Sequence, residues 1–190
     1  MSLACINNYR AMSKTDGDAH VMPIVEQTLT TDIGNIVIAA NRFGLSHLLF
    51  KPTKADSWVS RNIPLIDAVD ADKQLAQTHL QQAKIEIEQY LLGQLTHFTV
   101  PLAPVGTAFQ HQVWKALLGL PYGKSCSYSD IANLIDNPKA VRAVGSANGA
   151  NQIAIIIPCH RVVGKSGTLT GYAYGLEIKQ RLLMLEAEQA

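Results

Sequence analysis

Residues 153–161 of the chain read Ile-Ala-Ile-Ile-Ile-Pro-Cys-His-Arg. Five consecutive apolar residues, four of them isoleucine, predict a short buried strand. Because Pro158 cannot continue a central ladder, the chain turns there and presents the Cys159 thiol and the His160 imidazole from a rigid bend. A lone buried cysteine usually only packs, but His160 and Arg161 beside it are expected to raise the thiolate fraction of Cys159. Cys159 is therefore a candidate nucleophile.

Three helices are predicted before this stretch. Residues 107–110 and 127–130 each fit a capping box, in which a side chain and a backbone amide at a helix start satisfy one another. After the helix that begins at 127–130, a tight turn at 136–137 leads to Pro138, which suits the first position of another helix running to about Asn148. The two helices on either side of the turn at 136–137 form a helix-turn-helix candidate, a shape that many helical domains share.

The first half of the chain has a different pattern. Residues 24–50 are largely β-branched or apolar and are broken by two turn clusters, which predicts a three-stranded meander. Residues 51–71 lack periodicity and predict a loop. Apolar residues then recur at helical spacing over 75–90, with Asp70 or Asp72 as the cap and Gly93 as the end.

A strand over 97–101 and a stiff Ala-Pro-Val-Gly segment at 103–106 follow this helix. That segment predicts a boundary between domains 1–104 and 105–190. The fold class is therefore α+β, with a small sheet and helix followed by a helix-turn-helix domain.

Charge and cysteine content exclude several classes of protein. The net charge is +1, but residues 1–104 carry 8 basic and 10 acidic side chains, whereas 105–190 carry 8 and 5, so the positive charge lies with the helix-turn-helix. Three widely spaced cysteines argue against a disulfide scaffold, and Cys5 and Cys126 are assigned no function. No metal-ligand spacing, phosphate loop, signal peptide or membrane span is evident, so we expect no metal, no membrane and a cytoplasmic location.

Three motifs together resemble one family. Residues 127–128, 137–145 and 158–161 agree in type and spacing with the 6-O-alkylguanine-DNA alkyltransferases, also called methylated-DNA-protein-cysteine methyltransferases, and the likeness extends over about residues 107–187. The first half matches only in outline. The resemblance implies an RNase H-like N-terminal domain and a winged helix-turn-helix-like C-terminal domain.

The resemblance also implies a mechanism. Cys159 would take the alkyl group from 6-O-alkylguanine, and from 4-O-alkylthymine, in one displacement that uses no cofactor and occurs once per molecule. His160 would act as base through a water, and Glu186 would orient its imidazole. Asn151 would brace the turn that carries the cysteine. Tyr128 would lend a proton to the leaving base.

A base inside a duplex must be rotated out before a buried thiol can reach it. By resemblance, Arg142 would fill the gap as an arginine finger, and its helix would lie along the minor groove. The other predicted DNA contacts are a phosphate contact at the helix start, the small residues that allow close approach, and a wing residue: Asn137, Ala140, Ala143, Gly145 and Lys165.

Residues 171–176 would form the lip of the base pocket. The Ala173 amide would meet the guanine 6-oxygen, Tyr172 would pack on the base, and the carbonyls of Val162 and Cys159 would accept from its amino group. Many relatives have a small residue where this chain has Tyr174, which predicts a narrower pocket.

The predicted partner is double-stranded DNA containing alkylated guanine, bound by a monomer. One alternative is a non-catalytic sensor of alkylated DNA that recruits other repair proteins, although such a protein would lack the nucleophile. A second alternative is a cysteine hydrolase with a Cys159–His160 pair, which would turn over where an alkyltransferase would not.

Overall fold

The computed structural model describes residues 7–13, 21–51 and 65–189. Cys5 and most of the loop predicted over 51–71 lie outside the described residues. The mixed α+β prediction is confirmed, with a three-stranded sheet and a long helix in the first half and mainly helices in the second.

The sheet is the predicted meander. Strands β1 (Val25–Thr31), β2 (Gly34–Asn41) and β3 (Gly44–Phe50) pair antiparallel in the order β1-β2-β3. Gly44 has a φ of +151°, and a side chain there would collide with the carbonyl of Pro101. Glycine at this turn therefore lets the linker between the two halves lie directly against the sheet.

Helix α1 (Asp70–Leu91) packs on this sheet and ends as predicted, with Gly93 at a φ of +70°. Its start differs from the prediction, because the cap position is Val69 and no side chain caps it. Asp70 and Asp72 lie instead in the first turn, where they face the positive end of the helix dipole. At the start of the predicted buried face, the residue that is buried is Ala76, whereas Leu75, where the predicted spacing begins, is 49% exposed.

Residues 97–101 were expected to form a strand and do not. The chain bends at His97 and Val100, and the nearest sheet pairing is an isolated bridge between Leu45 and Leu102. Leu45 donates to the Pro101 carbonyl and accepts from the Ala103 amide. Pro101 and Pro104 lack amide protons, which stops the ladder from continuing on either side.

The second half begins with the two predicted capping boxes. Thr107 and Gln110 open α2 (Ala108–Leu118), and Ser127 and Asp130 open α3 (Tyr128–Leu134). Helix α4 (Val141–Gly149) begins three residues later than predicted, because Pro138 belongs to the preceding turn. That turn is closed by the Ala140 amide, which donates to the Asn137 carbonyl.

Residues 153–157 are fully buried but form a turn rather than the predicted strand. Ile153 makes one isolated bridge to Leu48, and Ile155 has a φ of +66°. The side chain of Asn151 supplies the hydrogen bonds that a neighbouring strand would otherwise give, since it accepts from the Ile153 amide and donates to the Ile157 carbonyl. The apolar run is therefore a buried turn that leads into a 3-10 helix (Cys159–Arg161).

Two short strands and a final helix complete the fold. Strand β4 (Cys126–Ser127) pairs parallel with β5 (Val162–Val163), and α5 (Leu176–Ala187) crosses behind the 3-10 helix. The predicted wing is a tight turn, closed by the Gly164 amide donating to the Thr168 carbonyl. None of the helices in the described part of the chain is long and apolar enough to cross a bilayer.

Candidate active site

Cys159 is the first residue of the 3-10 helix and is only 4% exposed. Asn151 Nδ2 lies 3.1 Å from its Sγ and also donates to the Ile157 carbonyl at 2.8 Å. The Ile153 amide donates to Oδ1 of the same asparagine at 3.0 Å. One side chain therefore holds both the buried turn and the thiol that follows it.

Burial raises the pKa of the Cys159 thiol, and the hydrogen bond from Asn151 and the charge of Lys179 oppose this only in part. We expected His160 and Arg161 to stabilise the thiolate, and for Arg161 this is wrong, because its guanidinium points at Glu186 and the Leu120 carbonyl. The resting thiol is therefore protonated. A base must remove its proton for the sulfur to react.

His160 and Glu186 form a fully buried pair, with Nε2 of the imidazole 2.9 Å from Oε1 of the carboxylate. Burial alone would raise the pKa of Glu186, but hydrogen bonds from His160 and Arg161 lower it to about 2. The carboxylate is therefore ionised and accepts the proton on Nε2.

The other imidazole nitrogen, Nδ1 of His160, is buried and has no hydrogen-bond partner among the described residues. Burial lowers the pKa of His160, so the ring is neutral and Nδ1 carries a lone pair. The imidazole next to Cys159 can therefore act as a base.

The sequence did not indicate how many donors surround Glu186. Arg161 donates to both carboxylate oxygens, at 2.8 and 2.9 Å. Tyr90 from α1 donates to Oε1 at 2.8 Å, and the Gly123 amide donates to Oε2 at 3.3 Å. These bonds balance a buried negative charge that would otherwise be costly.

Lys179 is a second residue that the sequence analysis missed. Its side chain is fully buried, and its Nζ donates to the Val162 carbonyl at 2.6 Å and to the Thr170 carbonyl at 2.7 Å. The signal was the spacing of Lys179, Leu182 and Glu186, which places all three on the buried face of α5. The Val162 carbonyl, the predicted acceptor for the amino group of the base, keeps one lone pair free of Lys179.

The thiol opens on a cavity with a volume of about 280 Å³. Of the predicted pocket residues, Val162 is not among those lining the cavity, although its main chain follows the 3-10 helix. Asn148 was missed, and its Nδ2 donates weakly to the Cys159 carbonyl at 3.4 Å. The cavity is lined by α3, α4, the cysteine turn and the loop before α5, through Tyr128, Gly145, Asn148, Gly149, Asn151, Cys159, Gly171, Tyr172, Ala173 and Tyr174.

The ring of Tyr174 at the cavity wall is held by other aromatic rings. Its centroid lies 5.2 Å from that of Phe50, on β3, and 5.4 Å from that of Tyr172. Burial, and next the nearby Cys159, raise the pKa of Tyr172 well above its ordinary value. The Tyr172 phenol at this lip is therefore neutral.

The predicted DNA contacts all belong to the second half of the chain, and most of them are exposed. Arg142 and Ala143 are exposed on α4, the helix that also gives Gly145 to the cavity, and Lys165 is exposed in the turn at 164–168. Asn137 is exposed but does not stand at the helix start, because α4 begins four residues after it, and its backbone amide donates to the Ala132 carbonyl. Ala140 is half-buried at the N-cap of α4.

A metal centre has no support in the residues at 7–13, 21–51 and 65–189. Within those ranges no three His, Cys, Asp or Glu side chains are grouped so that they could hold an ion.

A buried cysteine and a His–Glu pair, beside a cavity whose wall is a helix-turn-helix, define a nucleic-acid-modifying protein with a cysteine nucleophile. Residues 108–188 match the DNA-binding domain of 6-O-methylguanine DNA methyltransferase, and residues 24–104 match its ribonuclease-like domain. The chain belongs to the 6-O-methylguanine DNA methyltransferase family. The predicted division at 104/105 itself stays a prediction.

Individual relatives agree with this assignment. A methylated-DNA–protein-cysteine methyltransferase of Methanosarcina acetivorans is 45% identical over 159 residues, which cover 81% of this chain and 92% of that protein. The inducible enzyme of the same name from Bacillus subtilis is 50% identical over 129 residues, covering 68% and 69%. Mycobacterium tuberculosis OGT, solved in complex with DNA, superposes with a TM-score of 0.71 at 40% identity and covers 87% and 94%.

Proposed function

We propose that this protein repairs DNA by moving the alkyl group of 6-O-alkylguanine, and of 4-O-alkylthymine, to its own Cys159. The observation that carries the proposal is the position of Cys159. Its thiol opens on a cavity, and the adjacent buried imidazole has an unpartnered Nδ1 and an ionised carboxylate on Nε2. These are the parts that one alkyl transfer to sulfur needs.

The reaction starts with transfer of the thiol proton, through a water, to Nδ1 of His160. The sulfur then attacks the alkyl carbon, a sulfur–carbon bond forms, and the carbon–oxygen bond to the base breaks. The bonding electrons leave with the base, which takes up a proton supplied through the Tyr128 hydroxyl. Tyr128 takes a proton back from solvent and the imidazolium releases its proton to solvent, so in the net reaction the thiol loses one proton and the base gains one.

The product is a thioether on Cys159. Water does not readily displace the sulfur of a thioether, and a thioether has no S–H proton for His160 to remove. Each molecule therefore reacts once, and the reaction is stoichiometric rather than catalytic in the ordinary sense.

Access to the base requires that it leave the duplex. Arg142 is exposed on α4, one turn before Gly145 at the cavity wall, so a base entering the cavity leaves a gap that this guanidinium can fill. Close approach of α4 is supported by the small side chains of Ala140, Ala143 and Gly145. Asn137 and Lys165, both exposed, are the proposed contacts to the DNA backbone.

In the cavity, the base occupies the space between Tyr128 and the segment 172–174. Tyr172 packs on the base and the Ala173 amide meets its 6-oxygen. The carbonyls of Val162 and Cys159 are the proposed acceptors for the exocyclic amino group, and each already accepts from within the protein, Val162 from Lys179 and Cys159 from Asn148. The protein acts on double-stranded DNA as a monomer.

The test is intact-protein mass spectrometry after incubation with duplex DNA that contains a single 6-O-methylguanine. We expect one added methylene unit, located on Cys159, and a plateau at one equivalent per molecule. Cys159→Ser should take up nothing but still bind DNA, because a serine hydroxyl is far less acidic than a thiol. An unchanged mass of the wild type would instead favour a sensor of alkylated DNA. Release of product beyond one equivalent would favour a hydrolase.

A further inference from the structure

We propose that Tyr90, on helix α1 in the first half of the chain, is a positioning residue for the alkyl transfer and acts on His160 through the carboxylate of Glu186. The inference rests on the proposed function, because it concerns the base of that reaction. It assigns to the first half a direct influence on the chemistry, in addition to its part in the fold.

Tyr90 donates to the same oxygen of Glu186 that accepts from His160. Its hydroxyl donates to Oε1 of Glu186 at 2.8 Å, and this same oxygen accepts from Nε2 of His160 at 2.9 Å. Nη2 of Arg161 is a third donor to Oε1, at 2.9 Å. Among these donors, only Tyr90 comes from residues 1–104.

Packing alone does not account for the hydroxyl group of Tyr90. The ring is fully buried, with its centroid 5.4 Å from that of Phe98 and 6.2 Å from that of Tyr122. A phenylalanine would fill this apolar position equally well, and burying a hydroxyl costs free energy unless it is bonded. The partner of this hydroxyl is the carboxylate that orients the base.

The effect on His160 follows from competition for one oxygen. Each donor to Oε1 withdraws some of the negative charge that favours the imidazolium ion. Removing the Tyr90 hydroxyl leaves more of that charge for His160, which raises the pKa of its ring. The intact hydrogen bond therefore helps to keep His160 neutral and ready to accept the proton of Cys159.

Other ionisable groups lie around the imidazole and influence the pKa of its ring in the wild type. Arg161, on the same 3-10 helix, and Lys179, on α5, both disfavour the imidazolium by their positive charge, while Glu186 favours it. Burial, and next the negative charge of Glu186, raise the pKa of Tyr122, which lies in the loop after α2. Its hydroxyl, though buried, has no hydrogen-bond partner in the described ranges.

Tyr122 therefore provides a matched control. Tyr90→Phe and Tyr122→Phe each remove one buried phenol oxygen from the same aromatic cluster, but only the first removes a hydrogen bond to Glu186. The measurement is the single-turnover rate of methyl uptake from methylated duplex DNA between pH 5 and pH 9 in both variants and the wild type.

For Tyr90→Phe we expect the acid limb of the profile to move to higher pH by about half a unit to one unit. At a pH low enough that the rate rises with pH, this shift makes Tyr90→Phe about three- to tenfold slower than the wild type. The final uptake should stay at one methyl per molecule, and the Tyr122→Phe profile should superimpose on that of the wild type. A uniform change at all pH values, or an unchanged profile, would overturn the proposal and leave Tyr90 as a packing residue.

A second substitution guards against a folding defect in Tyr90→Phe. Replacing Tyr90 by 3-fluorotyrosine keeps the ring and the hydroxyl but makes the hydroxyl a stronger donor, so the acid limb should move to lower pH. A shift in the same direction as for Tyr90→Phe, or none, would contradict the proposal. These results are distinguishable from failure of the proposed function, in which the wild type would take up no methyl group at any pH.

Discussion

The Nε2 of His160 and the Oε1 of Glu186 lie 2.9 Å apart, and neither side chain has any exposed surface. The carboxylate fixes which imidazole nitrogen carries the proton, and it does so from a helix 26 residues further along the chain. The same carboxylate neutralises Arg161. Glu186 therefore has two separable functions, one in orienting the base and one in stability.

Glu186→Gln tests both functions. The amide cannot hold the imidazole in one tautomer, and it leaves the buried Arg161 charge without its partner. We expect the rate of methyl transfer to fall on the order of 10²–10⁴-fold, and the free energy of unfolding to fall by about 3–5 kcal/mol. Single-turnover kinetics and urea unfolding measure the two effects. An unchanged transfer rate would show that Glu186 does not orient His160, while Cys159 could still be the nucleophile.

The lowered pKa of Glu186 predicts a loss of stability in acid. Its pKa is about 2 in the folded protein against an ordinary value of 4.5, so its contribution is complete above pH 4.5 and is lost as the pH falls through 2. A shift of this size corresponds to about 3 kcal/mol. The gap in unfolding free energy between the wild type and Glu186→Gln should therefore narrow between pH 4.5 and pH 2.

The control for the acid prediction is Glu177→Gln. Glu177 lies on the same helix but is exposed, and its ion pair with Arg181 is 3.7 Å long. An exposed pair contributes little, so this variant should follow the wild type at every pH. A gap that narrows equally for both variants would mean that acid acts on the protein generally and not through Glu186.

Local features of the fold were predictable from the sequence. The capping box of Thr107 and Gln110 uses residues three apart, and the turns at Gly34 and Gly44 use backbone conformations that glycine favours. The apolar run at 153–157 was not, because a buried turn and a buried strand have the same composition. The choice depends on Asn151, whose side chain bonds to both ends of the run.

The site was predictable where its residues are neighbours in sequence or match the family motifs. Cys159 and His160 are adjacent, and Glu186 was assigned by resemblance. Tyr90 and Lys179 were not predicted, because each looks like an ordinary member of a helix: an apolar position in one and a surface charge in the other. Their contacts depend on how α1 and α5 pack against the 3-10 helix, which helical periodicity alone does not describe.

Arg142→Ala tests the proposed extrusion of the base. We expect this variant to repair methylated duplex DNA about tenfold or more slowly, while transfer from a free alkylated base is nearly unchanged, since a free base leaves no gap in a stack. The two substrates are compared by single-turnover rate in the same buffer. Equal losses on both would indicate that Arg142 supports the cavity or the fold.

The last prediction concerns Tyr174, whose ring lines the cavity and is held against Phe50 and Tyr172. These contacts keep the ring at the wall, so a bulky substituent on the 6-oxygen must compete with it for space. Overpacking of this kind costs about 1–3 kcal/mol. We therefore expect Tyr174→Gly to react with a benzylated free guanine about tenfold or more faster than the wild type, with much less change on methylated DNA. Tyr174→Phe keeps the ring and should behave as the wild type does. If the wild type reacts with the benzyl compound as fast as Tyr174→Gly, the ring does not restrict the pocket. A loss of rate in Tyr174→Gly would mean that the ring stacks on large substituents and favours them.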